Sequence, residues 1–220
     1  MKVELLDYFG GDVNHVNVAR VSYGKEASNY TEEQNIKLLN YLVNHGHTSP
    51  FRHSTLQFRI KCQIYVERQI LKHQVGISVN SISGRYVDFS DTYGRLFVGD
   101  WRKQSTSSKQ GSSGFIDTDA QFKATEIQNK VIDTCKQAYN DLLELGVSKE
   151  QARSVLPLSL ETEFIWTGSF LAFIHLCDLR IKPDAQKETR DVVAEMLRLV
   201  EHMEHTPFKY SLEAFKQKQK

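Results

Sequence analysis

Gln69, Lys72 and His73 are spaced so that, on a helix, all three would project from one face. Within the same stretch, residues 67–86, follow Asn80, Ser81, Ser83, Gly84 and Arg85 in a short serine/glycine turn. Small residues let a backbone approach a ligand closely, hydroxyls donate or accept, and a guanidinium clamps an anion through paired hydrogen bonds. A phosphorylated, planar ligand is the molecule this set suits best.

Further cations stand at Arg153, Arg180 and Arg190. Taken singly, each reads as a solvated or salt-bridged side chain. Arg180 follows a largely apolar stretch, so it is the least surface-like, although a cation at a helix C-terminus is also stabilised by the macrodipole. The segment GHTSPFRH, residues 46–53, gathers His47, Ser49 and His53. It reads equally as a helix-to-strand turn with capping hydroxyls or as a ligand contact. No carboxylate or cysteine nearby completes a metal-ligand spacing, so no metal is expected. There is no glycine-rich phosphate loop, dinucleotide fingerprint or G-x-S-x-G elbow. No cysteine falls in the polar segments, which disfavours a thiol nucleophile and points to chemistry done by a cofactor.

Composition bounds the partners. The 220 residues carry a net charge of +1, so no global field draws the chain to nucleic acid or membrane. Cys62, Cys135 and Cys177 each sit in an apolar-periodic stretch and are expected as buried thiols. No apolar run reaches a membrane span and the N-terminus lacks a signal-peptide pattern, which implies a soluble, cytoplasmic protein.

The elements that must position these residues follow from periodicity. A first strand runs to Gly10-Gly11. A helix spans Thr31 to His45, opened by a Thr31/Gln34 capping box and closed by Gly46. Leu56, Phe58, Ile60 and Cys62 alternate with polar residues as in a half-buried strand. A helix from about Ile64 to Val75 would carry Gln69, Lys72 and His73. Residues 103–118, rich in Ser, Gly and Lys, read as a mobile loop, either plain surface or a lid over a ligand. A long amphipathic helix follows, with Ala124, Ile127, Val131, Cys135, Ala138, Leu142 and Leu145 on its stripe and a stop at Gly146. Next come a short helix with Arg153, a strand over Leu160–Trp166, a helix from Ser169 to about Arg180, and a last helix from near Asp184. One α+β domain over residues 1–220 is expected, a mixed or antiparallel sheet core flanked by long helices.

Together these segments resemble the flavin-dependent thymidylate synthases. That family's signature is Arg-His-Arg, seven residues, then Ser; here Lys72-His73-Gln74 is followed by eight residues and Ser83. Asn80, Ser83, Gly84, Arg85 and Tyr86 match the family's Asn-Glu-x-Ser-x-Arg-Tyr run. GHTSPFRH, EQARSVLP and LRIKPDAQKE match three further motifs in order. The resemblance implies a homotetramer with active sites at subunit junctions, in which dUMP, 5,10-methylenetetrahydrofolate and NADPH give dTMP and tetrahydrofolate, reduced FAD donating the hydride. Carried over by position, it implies that Gln69, Ile70, Leu71, Lys72, Ser81, Ile82, Ser83, Gly84, Arg85, Arg153 and Arg180 hold dUMP. Arg180 would be catalytic, stabilising negative charge at the uracil. Ser49, Lys72, His73, Gln74, Ser81, Ser169 and His175 would contact FAD, with His47 nearby.

The departures are specific. Lys72 puts a point charge where the family has a planar guanidinium, and Gln74 removes a second positive charge. Ser81 stands where the family usually has glutamate, and Arg52 replaces an acidic residue. The extra residue must bulge between Val75 and Val79. Two alternatives follow: one-carbon transfer to another pyrimidine nucleotide, or a non-catalytic nucleotide-binding homologue.

Overall fold

The computed structural model describes residues 1–89, 95–107, 109 and 111–218. Its central sheet is built from β1 (Lys2–Phe9), β2 (Thr55–Gln63), β3 (Ile77–Ser81) and β6 (Glu161–Ser169), in the order β1-β2-β6-β3. Every pairing in it is antiparallel, which narrows the expected mixed or antiparallel sheet to the second form. The alternation in β2 sorts the two faces as the sequence implies. Leu56, Phe58, Ile60 and Cys62 are fully buried, and the register sets Phe58 opposite Trp166 and Ile60 opposite Phe164. The opposite face is polar: Arg59 meets Glu163 at 3.5 Å, Lys61 meets Glu161 at 3.4 Å, and Gln57 donates to Thr167 at 3.1 Å. Exposed pairs of this kind add little stability, but they keep that face out of the core.

Helices cover the apolar face. α3 (Ile64–Ile70), α6 (Phe170–Arg180) and α7 (Lys187–Glu201) pack on β2 and its neighbours. Val192, Val193, Met196 and Val200 bury one stripe of α7, which starts at Lys187 rather than near Asp184 because residues 182–185 form a turn. α1 (Asp12–Arg20) and α2 (Glu32–Asn44) form a second group with α8 (Lys209–Lys218). Thr31 and Gln34 cap α2 reciprocally, at 3.3 and 3.0 Å, as expected. α1 and α8 have no counterpart among the expected elements, although Phe208, Leu212 and Phe215 carry a helical apolar spacing and are buried.

Three expectations about residues 64–81 need correction. The helix holding Gln69 stops at Ile70; the amides of Lys72 and His73 then bond to carbonyls three residues back, at 3.4 and 3.1 Å. The chain must turn there to enter β3, so Gln69, Lys72 and His73 do not share a helix face. Gly76, at φ +73, makes that turn and accepts from the Ser169 amide at 2.9 Å. Asn80 and Ser81 accordingly lie in a strand, not in a serine/glycine turn.

Residues 103–118 are not a plain loop: β4 (Arg102–Gln104) and β5 (Ser112–Phe115) pair as a small antiparallel ribbon, and Ser108 and Gln110 lie outside the described residues. α4 (Thr118–Glu144) then begins with Asp117 capping the Ala120 amide at 2.9 Å. Much of its expected stripe is open, with Ile127 65% and Leu145 80% exposed. Cys62 and Cys177 are buried, but Cys135, on α4, is only half-buried. α5 (Lys149–Ala152) leads into a 3-10 turn at Arg153–Val155. No helix among the described residues is long and apolar enough to cross a membrane.

Candidate active site

Residues 170–174, 176 and 177 of α6 are buried, which fixes the helix and delivers Arg180 at its last turn. Ser169 caps the other end, its Oγ accepting from the Ala172 amide at 3.2 Å. Arg180 is half-buried. Its Nε donates to Nε2 of His73 at 3.0 Å and its Nη2 to the carbonyl of Gln69 at 3.2 Å. An imidazole nitrogen that accepts carries no proton, so His73 is neutral here with its hydrogen on Nδ1. Burial, then the Arg180 charge, then His175 push the His73 pKa below its ordinary value, in keeping with that bond.

Gln69 is held from the side of α7. Its Oε1 accepts from Thr189 at 3.0 Å and its Nε2 donates to Gln186. Gln186 in turn donates to Glu188 at 2.9 Å, and Arg102 of β4 grips the same carboxylate at 2.7 and 3.0 Å. Burial alone would raise the Glu188 pKa; hydrogen bonds from Arg102 and Gln186 outweigh it and hold the group below its usual range. A continuous polar chain therefore runs from the β4–β5 ribbon to the Gln69–Arg180–His73 junction.

β3 leads from this junction to a second cationic group. Ser81 pairs opposite Phe164 and so faces the helices, where its Oγ donates to the buried carboxylate of Glu67 at 2.5 Å. The Ser83 Oγ accepts from the Arg85 amide at 3.3 Å. Arg85 pairs with the Glu150 carboxylate at 3.0 Å while Arg153 donates to the Glu150 carbonyl at 3.2 Å, so one residue gathers both guanidinium groups. A Cβ on Gly84 would stand 2.6 Å from the Phe89 ring and 3.2 Å from Cδ of Arg153; only glycine lets the chain lie this close.

The structure thus joins Gln69, His73 and Arg180 in one cluster and Gly84, Arg85 and Arg153 in another, with Ser81 between. His175 is exposed on α6, near enough for its charge to act on His73. Ser169 abuts Gly76. Other expected residues stay apart. Ser49 is exposed on a 3-10 helix over Ser49–Arg52, which has no side-chain cap bond despite the hydroxyls, and His47 stacks on Tyr41. Lys72 and Gln74 are exposed and make no side-chain hydrogen bond among the described residues. Ile70 is fully buried in the core, Leu71 half-buried and Ile82 exposed. Arg190 bonds to the Pro183 carbonyl at 3.0 Å and joins neither cluster. Sequence reasoning missed Glu67, Glu150, Gln186 and Thr189. A carboxylate at Glu67, between apolar Val66 and Ile70, was the one available signal.

A cavity of about 860 Å³ lies elsewhere, between the start of α1, α2 and the segment before α8, and contains none of these residues. In the single chain Ser81, Arg85 and Arg153 are exposed, while Gln69, His73 and Arg180 are half-buried.

Residues 4–205 match the model of the family described as thymidylate synthase complementing protein, and the chain belongs to that family. A flavin-dependent thymidylate synthase from Kosmotoga olearia is 36% identical over 197 residues, covering 90% of this chain and 84% of its own length. One from Thermus thermophilus is 38% identical over 198 residues, covering 90% and 70%. Among solved structures, the UMP/dUMP methylase PolB from Streptomyces cacaoi, bound with 5-Br dUMP, superposes with a TM-score of 0.86 at 25% identity, covering 98% of this chain and 94% of that one. The ordered motifs of the sequence point to the same family.

Proposed function

We propose that residues 1–220 act as one unit, a flavin-dependent thymidylate synthase. It converts dUMP to dTMP, with 5,10-methylenetetrahydrofolate as one-carbon donor and NADPH as reductant, releasing tetrahydrofolate and NADP+. The observation that carries this reading is the Arg180–His73–Gln69 junction, set beside a strand that leads to the Arg85–Arg153 pair. One cluster suits a planar ring, the other a phosphate dianion.

The donor set fits a flavin dinucleotide. Lys72, Gln74, Ser49 and His175 are exposed and hold no side-chain hydrogen bond among the described residues, so an ammonium, an amide, a hydroxyl and an imidazole are available to its pyrophosphate and ring. When bound, FAD supplies the hydride chemistry that these side chains lack. Two of the three thiols are poor substitutes for it: burial pushes Cys62 up to about 12 and Cys177 well above its ordinary value. Arg85 and Arg153 take the phosphate through charge-assisted bonds. Arg180, fixed by His73 and Gln69, stabilises negative charge developing on the uracil, an effect that is strong where water is excluded.

The exposed stripe of α4 and the open clusters support assembly as a homotetramer with sites completed at subunit junctions. A reducing, cytoplasmic setting suits three free thiols. That the Streptomyces cacaoi neighbour is a UMP/dUMP methylase supports a second reading, methyl transfer to another pyrimidine nucleotide such as UMP. Product analysis with dUMP, UMP and dCMP, each with methylenetetrahydrofolate and NADPH, decides between them. Formation of dTMP well above the other products supports the first reading. Preferred turnover of UMP or dCMP supports the second, and no turnover of any contradicts both.

A further inference from the structure

Glu67 is 8% exposed, and no Lys or Arg lies within ion-pair distance of it among the described residues. A buried carboxylate without a cation is costly unless hydrogen bonds satisfy it. Its side chain takes one strong bond, from Ser81 Oγ at 2.5 Å. Ser81 itself is exposed at the end of edge strand β3, between the two cationic clusters. A hydroxyl whose only proton is committed to a carboxylate can present only lone pairs to a third group, and the carboxylate's charge makes it a better acceptor.

We infer that Glu67 and Ser81 form one acceptor unit that reads a hydrogen-bond donor on the bound nucleotide, either the sugar 3′-hydroxyl or the ring N3–H. Glu67 is the positioning residue and Ser81 the contact. The inference rests on the nucleotide binding proposed above. Discrimination of this kind is large where the bound nucleotide closes Ser81 off from water, because a ligand lacking the donor then leaves a buried polar site unpaired.

Calorimetric binding of dUMP, 2′,3′-dideoxy-UMP and N3-methyl-dUMP to the full-length protein tests it, with Glu67→Gln, Ser81→Ala and the double variant compared at matched fold content. The wild type should bind dUMP about tenfold or more tighter than one of the two analogues, which identifies the donor. Each single variant should remove that preference, and the double variant should lose no more than either alone. Equal weakening of dUMP and both analogues would show a structural role and overturn the inference. So would a preference that survives the variants, or losses that add. A wild type that binds no dUMP overturns both this inference and the proposed function; a wild type that binds dUMP with its preference untouched by the variants overturns the inference alone.

Discussion

Arg180 and His73, 107 residues apart, meet through an Nε–H donated to an unprotonated Nε2 at 3.0 Å, so the end of α6 is locked to the turn after α3 by a bond only a neutral imidazole can accept. Removing the guanidinium should release part of the depression of the His73 pKa, since Arg180 is its second cause after burial. In Arg180→Ala, NMR titration should show the His73 ring taking up its proton at higher pH than in the wild type. An unchanged titration would mean that the bond does not form in solution.

The two cationic clusters should fail differently. Arg180→Ala should lower kcat by about a hundredfold or more while FAD stays bound, as loss of a transition-state donor does. Arg85→Ala should mainly raise KM for dUMP, because phosphate contacts are much the same in ground and transition states. Steady-state kinetics per bound flavin separates the cases. Flavin loss with unchanged turnover per flavin would remove Arg180 from the chemistry.

Gly84→Ala should keep the fold and weaken nucleotide binding. A methyl there meets the Phe89 ring and the stem of Arg153, so the 83–86 turn must move away from its partner arginine. Overpacking of this type costs on the order of 1–3 kcal/mol. Thermal melts and dUMP titration of the variant measure both effects; unchanged dUMP affinity would contradict the close approach.

How far the sequence could be read depended on the range of the signal. The alternation in β2 and the Thr31/Gln34 cap are local patterns, and both appear as expected. The helix carrying Gln69 ends sooner than its spacing predicts because the need to turn into β3 comes from pairing with β6, over eighty residues later. Polar composition does not announce the ribbon at residues 102–115, whose Arg102 is held by Glu188. Likewise, Arg85 and Arg153 could be singled out as cations, but that Glu150 gathers them is visible only in three dimensions.

A separate buried network sets the pH response of stability. His15 bonds through Nδ1 to Ser211 at 2.8 Å and through Nε2 to Ser54 at 2.5 Å, while Ser211 donates to Asp12. Since the Ser211 proton goes to Asp12, His15 donates from Nδ1; in the neutral ring Nε2 is then left to accept from Ser54. Burial, with a smaller contribution from His53, lowers its pKa to about 3. Between about 6.5 and 3 the unfolded chain therefore binds a proton that the folded chain does not, and stability falls as pH drops through that window, by up to about 1.4 kcal/mol per unit.

The raised pKa of Asp12, due chiefly to burial, acts in the opposite sense above its ordinary value. A His15→Gln variant isolates the histidine. It should be less stable near neutrality but show a flatter dependence of urea midpoint on pH between 6.5 and 4. Parallel wild-type and variant curves would reject the assignment.

The most direct test of the account is the visible absorption spectrum of the purified protein, taken before and after addition of FAD and then of dUMP with NADPH and methylenetetrahydrofolate. Bound flavin and dUMP-dependent NADPH oxidation accompanied by dTMP are expected. A colourless protein that takes up no added FAD would contradict it.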